Sequence, residues 1–181
     1  MTPPSADVSC RVAWADDAPA IARLQLATRR RDLAGLLPEA ALDVDPDTAV
    51  AAWQQTLARP PDARVRVLVA LERNRVVGFA ITAPATDPDC DAVADAELME
   101  LTVDPAERGK GHGSRLLQAA VDTMEADRFG RAVLWVTVGD DALRSFLTSG
   151  GWAPDTAHRE LDLDGTGTTT VRQVRLHTQL G

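Results

Sequence analysis

Two sets of residues in the stretch 96–117 (AELMELTVDPAERGKGHGSRLL) have types and spacing that can do chemistry. The first is a pair of carboxylates, Glu97 and Glu100, set in an otherwise apolar, strand-like run. A central strand flanked by helices should be apolar on both faces, so acids there call for an explanation. Burial raises a carboxylate pKa toward the range of a general base; the structural alternative is a buried acid hydrogen-bonded to a neighbouring loop. The second set is Gly109, Gly111 and Gly113, alternating with Lys110 and His112. Without Cβ atoms in the way, backbone amides of such a loop can crowd around an anion. A helix opening near Ser114 points its positive end at the same place, which makes a phosphate or pyrophosphate the expected guest.

Spacing narrows the choice of ligand. A Walker A loop requires Gly, four residues, then Gly-Lys-Ser/Thr, but Asp104 stands at the first glycine and Gly111 follows Lys110. A dinucleotide fingerprint fails too, since counting from Gly109 or Gly111 gives Ser114 or Leu116 where the third glycine belongs. What fits is Arg108-x-x-Gly111-x-Gly113 after a strand ending in Val103-Asp104-Pro105, with Leu116-Leu117 behind it. This resembles the acyl-CoA-binding motif of the GNAT superfamily of N-acetyltransferases. Leu134-Trp135-Val136, Gly139-Asp140 and the closing Gly151-Trp152 resemble the family's second signature.

The resemblance implies an α/β (α+β) fold, a mixed central sheet of about seven strands with helices on both faces and with its fourth and fifth strands splayed. It implies acetyl-CoA as cosubstrate, held through the main chain of Arg108, Gly109, Lys110, Gly111, His112, Gly113 and Ser114, with the pantetheine arm pairing along Leu101, Thr102 and Val103. Asp140 stands where the family has an asparagine near the pantetheine, and capping the next helix is an equally good role for it. In the histone acetyltransferase branch a glutamate in the Ala-Glu-Leu context of Glu97 is the general base; Glu100 is the reserve candidate. Many relatives supply a tyrosine general acid at the position of Leu147, and this chain has no tyrosine. The implied activity is direct acetyl transfer to a primary amine on a small molecule or peptide. Two readings stay open beside it: a non-catalytic acyl-CoA-binding module, which the missing tyrosine favours and Glu97 opposes, and a phosphate-binding nucleotide enzyme.

The elements that must position these residues follow from periodicity. At 181 residues a single domain over 8–181 is expected, behind a disordered start at 1–7. Strands are predicted at 8–14, 65–71, 76–82, 95–103, 132–138, 159–163 and 170–177, and helices from Asp16 or Asp17 to Arg31, at 46–59, at 114–128 and at 140–149. Strict alternation puts Glu97 and Glu100 on opposite faces of their strand unless a bulge intervenes. His112, His158 and His177 are expected at the surface. Glu39, Asp43, Asp45 and Asp47 form an acidic stretch that either attracts a cationic amine or merely solvates helix ends. Formal net charge of −8 argues against nucleic acid and anionic membrane as partners. Cys10 and Cys90 match no metal spacing, so no metal is expected, and a reducing cytoplasm is. A homodimer is left open.

Overall fold

Seven strands form one mixed sheet in the order β1-β2-β3-β4-β5-β7-β6. In the computed structural model, which describes residues 8–181, they are β1 (Val8–Val12), β2 (Arg66–Glu72), β3 (Arg75–Pro84), β4 (Asp95–Val103), β5 (Arg131–Thr137), β6 (Ala153–Asp162) and β7 (Thr170–Gln179). The helices are α1 (Ala18–Leu33), α2 (Glu39–Leu42), α3 (Pro46–Ala58), α4 (His112–Ala126) and α5 (Asp141–Ser149). The expected disordered start at 1–7 lies outside the described residues.

Each face of the sheet is apolar and carries its own core. Leu116, Ala120 and Met124 recur along α4 at helical spacing and cover Ala96, Leu98, Ala132, Leu134 and Val136. On the other face Ile21 and Leu24 of α1 and Trp53 of α3 pack over Val67, Val69 and Phe79. Trp53 meets the Phe79 ring edge-on, with centroids 5.7 Å apart. The β2–β3 hairpin turns through Arg73 and Asn74, both left-handed (φ 49° and 67°), the geometry of a two-residue turn whose twist matches the strands.

Three local expectations are corrected. Asp17 does not cap α1 with its side chain: the carboxylate accepts from the Trp14 amide at 2.7 Å and pairs with Arg11 at 2.6 Å, ending β1 at Val12 with a 3-10 turn at Ala15–Asp17. The loop before α3 contains the short helix α2. β6 begins six residues before its expected start, because its first residues pair with β7 across an irregularity between Pro154 and His158.

The C-terminal strands are fixed to the β3–β4 connection by one buried cation. Arg175 of β7 is 3 % exposed. It donates from Nε to Asp155 at 2.7 Å, from Nη1 to Asp87 at 3.1 Å, and through its fork to both oxygens of Asp89 at 2.8 and 2.5 Å. Bidentate, charge-assisted bonds are the strong kind, and they hold three chain segments at one point. Removing one partner of a buried ion cluster is strongly destabilising, because it strands the remaining charges. Arg175→Met should therefore lower Tm by on the order of 6–12 °C at neutral pH. The Arg175 hydrogen bond holds the Asp89 carboxyl down at about 2. Its folded pKa lies below the ordinary value, so its stabilisation is complete above about pH 4 and is lost as pH falls through about 2. Thermal melts of wild type and variant should converge over that window; a constant gap would contradict the assignment.

Candidate active site

β4 and β5 run parallel and pair at only three positions: Asp95 with Arg131, Ala96 with Ala132, and Glu97 with Val133. Beyond Glu97, β4 continues on β3 as far as Val103, while β5 continues on β7 as far as Thr137. The strands therefore part immediately after Glu97. The β4 edge over residues 98–103 faces the gap with its backbone groups unpaired by β5, ready to take an extended ligand as an added strand.

A bulge decides where the carboxylates point. Against β3, Glu100 faces Ile81 but Leu98 faces Thr82, which leaves Met99 as the extra residue, 56 % exposed. Ala96 and Leu98 belong to the α4 core, and so does Leu101, an odd interval that only a register break permits. Glu97, Glu100 and Thr102 consequently share the opposite face, the one covered by α1. Strict alternation would have separated the two acids; the proviso of a bulge is the case that holds.

The two carboxylates differ in environment. Glu100 accepts from Gln25 Nε2 at 3.3 Å and from Thr102 Oγ1 at 3.2 Å. Gln25 in turn accepts from the Trp53 indole at 2.9 Å, so its amide is oriented with the NH₂ toward Glu100. Burial raises the Glu100 pKa against those two hydrogen bonds. Glu97 accepts no hydrogen bond among the described residues. Burial raises its pKa, Asp87 adds to the rise, and Arg159 and Arg175 oppose it.

After β4, the Asp104 carboxylate caps a 3-10 turn at Pro105–Glu107, and the chain enters the glycine loop. Gly109 and Gly111 are left-handed (φ 77° and 83°), conformations that cost a side-chain-bearing residue energy. Among the described residues the amides of 109–114 donate to no internal acceptor, and a Cβ at Gly109 would meet nothing within 4 Å. A Cβ at Gly113 would lie 3.5 Å from the Phe146 ring of α5 and 3.8 Å from Val103 Cγ2. The loop, the end of β4 and α5 thus converge. Free amides at a helix N-terminus beside an unpaired strand edge fit a diphosphate continued by an amide-bearing arm.

Some expected residues take other parts. α4 starts two residues earlier than expected, at His112, whose side chain is 1 % exposed and not in solvent. Among the described residues neither of its ring nitrogens, both buried, has a hydrogen-bond partner. Lys110 is engaged by Glu107 at 2.5 Å, and Arg115 donates to the Lys110 carbonyl at 3.2 Å. Arg108 is exposed. The Asp140 side chain accepts from the Leu143 amide at 3.0 Å, the capping role. Leu147, at the position of the family's tyrosine, is fully buried. His158 is exposed as expected, but His177 is half-buried. Of the acidic stretch, Glu39 and Asp43 pair with Arg30 at 3.1 and 3.6 Å, and Asp45 caps α3.

Sequence reasoning missed a cavity of about 440 Å³ between the β3–β4 connection and strands β5, β6 and β7, lined by Asp87, Trp135, His158, Arg159 and Arg175. Trp135 donates its indole N–H to Asp87 at 2.9 Å, and the Arg159 guanidinium lies 4.2 Å from the Trp135 ring centroid. Its residues come from separate segments; the one visible signal was an arginine inside the apolar alternation of β7.

Comparison with known proteins agrees with this architecture. Residues 30–151 match the model of the acetyltransferase (GNAT) family. No curated relative matches the chain. Among solved structures, YncA from Salmonella typhimurium with its cofactor acetyl-CoA superimposes with a TM-score of 0.69 at 20 % identity, covering 97 % of this chain and 95 % of that one. Ribosomal-protein-alanine N-acetyltransferase from Brucella melitensis gives 0.73 at 20 % identity, covering 95 % and 99 %. A GCN5-related N-acetyltransferase from Kribbella flavida gives 0.70 at 20 % identity, covering 96 % and 98 %. With its seven-stranded mixed sheet, parted fourth and fifth strands and a family match over more than half its length, the chain belongs to the GNAT acetyltransferase family.

Proposed function

We propose that the protein transfers the acetyl group of acetyl-CoA to a primary amine, with Glu97 as general base. The observation that supports this most is the parting of β4 from β5 immediately after Glu97, which sets a carboxylate of raised pKa at the head of an unpaired strand edge. Acetyl-CoA supplies the thioester on which the amine acts. The amides of residues 109–114 hold its diphosphate, and the backbone at Leu101, Thr102 and Val103 pairs with its pantetheine arm. An amide of the same edge donates to the thioester carbonyl oxygen as charge develops there.

An alkylammonium of pKa about 10 is almost wholly protonated at neutral pH, so a base must take its proton before attack. Glu97 suits this task because among the described residues no donor competes for its oxygens. Glu100, held by Gln25 and Thr102, is placed to orient the amine. No phenol is required to protonate the leaving group, since a thiol of pKa about 8.5 leaves as thiolate.

Glu97→Gln should keep acetyl-CoA affinity within a few fold and lower kcat by about 10²- to 10⁴-fold near neutral pH, measured by thiol release. The deficit shrinks as pH rises and free amine becomes abundant. A raised folded pKa means that the native state binds the proton more tightly than the unfolded chain. Ionised Glu97 therefore costs stability above its folded pKa, and the Gln variant should melt no lower than wild type at pH 7. Full activity in Glu97→Gln with activity lost in Glu100→Gln would exchange the two roles.

The loop has its own test. The 3.5 Å approach to Phe146 is an ordinary contact, so Gly113→Ala should fold and still bind acetyl-CoA. Gly113→Glu adds bulk and a negative charge beside the diphosphate amides and should abolish binding in calorimetry while the melting temperature holds. Unchanged affinity would remove the loop from the site.

A further inference from the structure

The cavity whose Asp87, Arg159 and Arg175 act electrostatically on Glu97 contains a guanidinium that is held at one end and open to solvent at its outer edge. Arg159 of β6 donates from Nε to Gln173 Oε1 at 2.8 Å, and its plane lies over the Trp135 ring, 4.2 Å from the centroid. Its Nη1 is 3.8 Å from Asp87 Oδ1, beyond hydrogen-bonding distance. Among the described residues, neither terminal nitrogen of Arg159 has a hydrogen-bond acceptor. Asp87 takes the Trp135 and Arg175 bonds on Oδ2 and turns Oδ1 toward Arg159 as a long ion pair, while Asp89 and Asp155 are held by Arg175.

The strand that carries Arg159 is itself irregular just before it. β6 leaves register with β7 between Pro154 and His158, and within that irregularity Thr156 is left-handed at φ 74°. A β-branched residue seldom adopts that conformation, and such strain collects at ligand sites. At about 440 Å³ the cavity has the volume of a small-molecule site.

Resting on the acetyltransferase reading above, we infer that this cavity is the acceptor site and that its acceptors are amines carrying a carboxylate or another planar or tetrahedral oxyanion, as free amino acids do. The Nη1–Nη2 edge of Arg159 takes the oxyanion, and the amino group lies toward Glu97. The two ends of a zwitterion meet opposite charges across one cavity. Arginine's flat fork suits the anion, and its stacking on Trp135 fixes the fork before the ligand arrives.

The test compares matched pairs that differ only in the carboxylate, such as phenylalanine with phenethylamine and ornithine with putrescine, across wild type, Arg159→Met and Arg159→Lys, by thiol release from acetyl-CoA. In wild type the carboxylate member should have the higher kcat/KM. Arg159→Met should raise KM for that member by about 10- to 100-fold, with a loss at least ten times smaller for the plain amine; Arg159→Lys should recover only part of it. Melting temperatures verify that both variants fold. Plain amines acetylated as well as their carboxylate partners, or a carboxylate preference that survives Arg159→Met, would overturn the inference and leave the acetyltransferase reading standing. Acetyl-CoA binding without transfer to any amine would overturn both.

Discussion

The structure depends on how little β4 and β5 pair. Three ladder positions hold the sheet continuous, and the fourth is given up. An unpaired strand edge inside a sheet is normally a liability, because each idle amide and carbonyl near the interior costs free energy. Here the neighbours carry the load: β3 secures β4 along its whole length, and β7 secures β5. α4 bridges the gap from behind through Leu116, Ala120 and Met124, packing on residues of both strands. The opening is thus closed at its base and open at its mouth, and the helix that closes its back begins at the glycine loop.

The bulge at Met99 is the second device. One extra residue carries Glu100 to the face of Glu97 while Leu98 and Leu101 stay in the α4 core. The two acids then divide by their surroundings. Glu100 is tied to α1 and α3 through Gln25 and Trp53, so helix packing on that face sets its orientation. Glu97 has no internal donor among the described residues and feels the charges of Asp87, Arg159 and Arg175. In the cavity these three line, Arg175 balances three carboxylates, while Arg159, ion-paired with Asp87 at 3.8 Å, donates a hydrogen bond only from Nε among the described residues.

Much of this was legible in the chain. β4 was bounded at residues 95 and 103 from its apolar pattern, and the glycine loop was placed by Arg108, Gly111 and Gly113, because both depend on local conformational preference. Asp140 was correctly offered as a cap for the same reason. Non-local facts were not legible. The bulge exists only in relation to β3; the burial of His112 follows from α4 beginning two residues early; and the Arg175 cluster joins Asp87, Asp89 and Asp155 across segments that no periodicity connects. The acids near α3 looked available because their partner, Arg30, lies a helix away.

Amide hydrogen exchange with and without acetyl-CoA tests the central claim most directly, because it reads the edge and the loop separately. The account predicts new protection at residues 109–114 and along the β4 edge up to Val103, with Asp95, Ala96 and Glu97 unchanged since they are already paired. Protection of the loop alone, with the β4 edge exchanging as before, would show that the ligand is held by its diphosphate and never enters the gap between the strands.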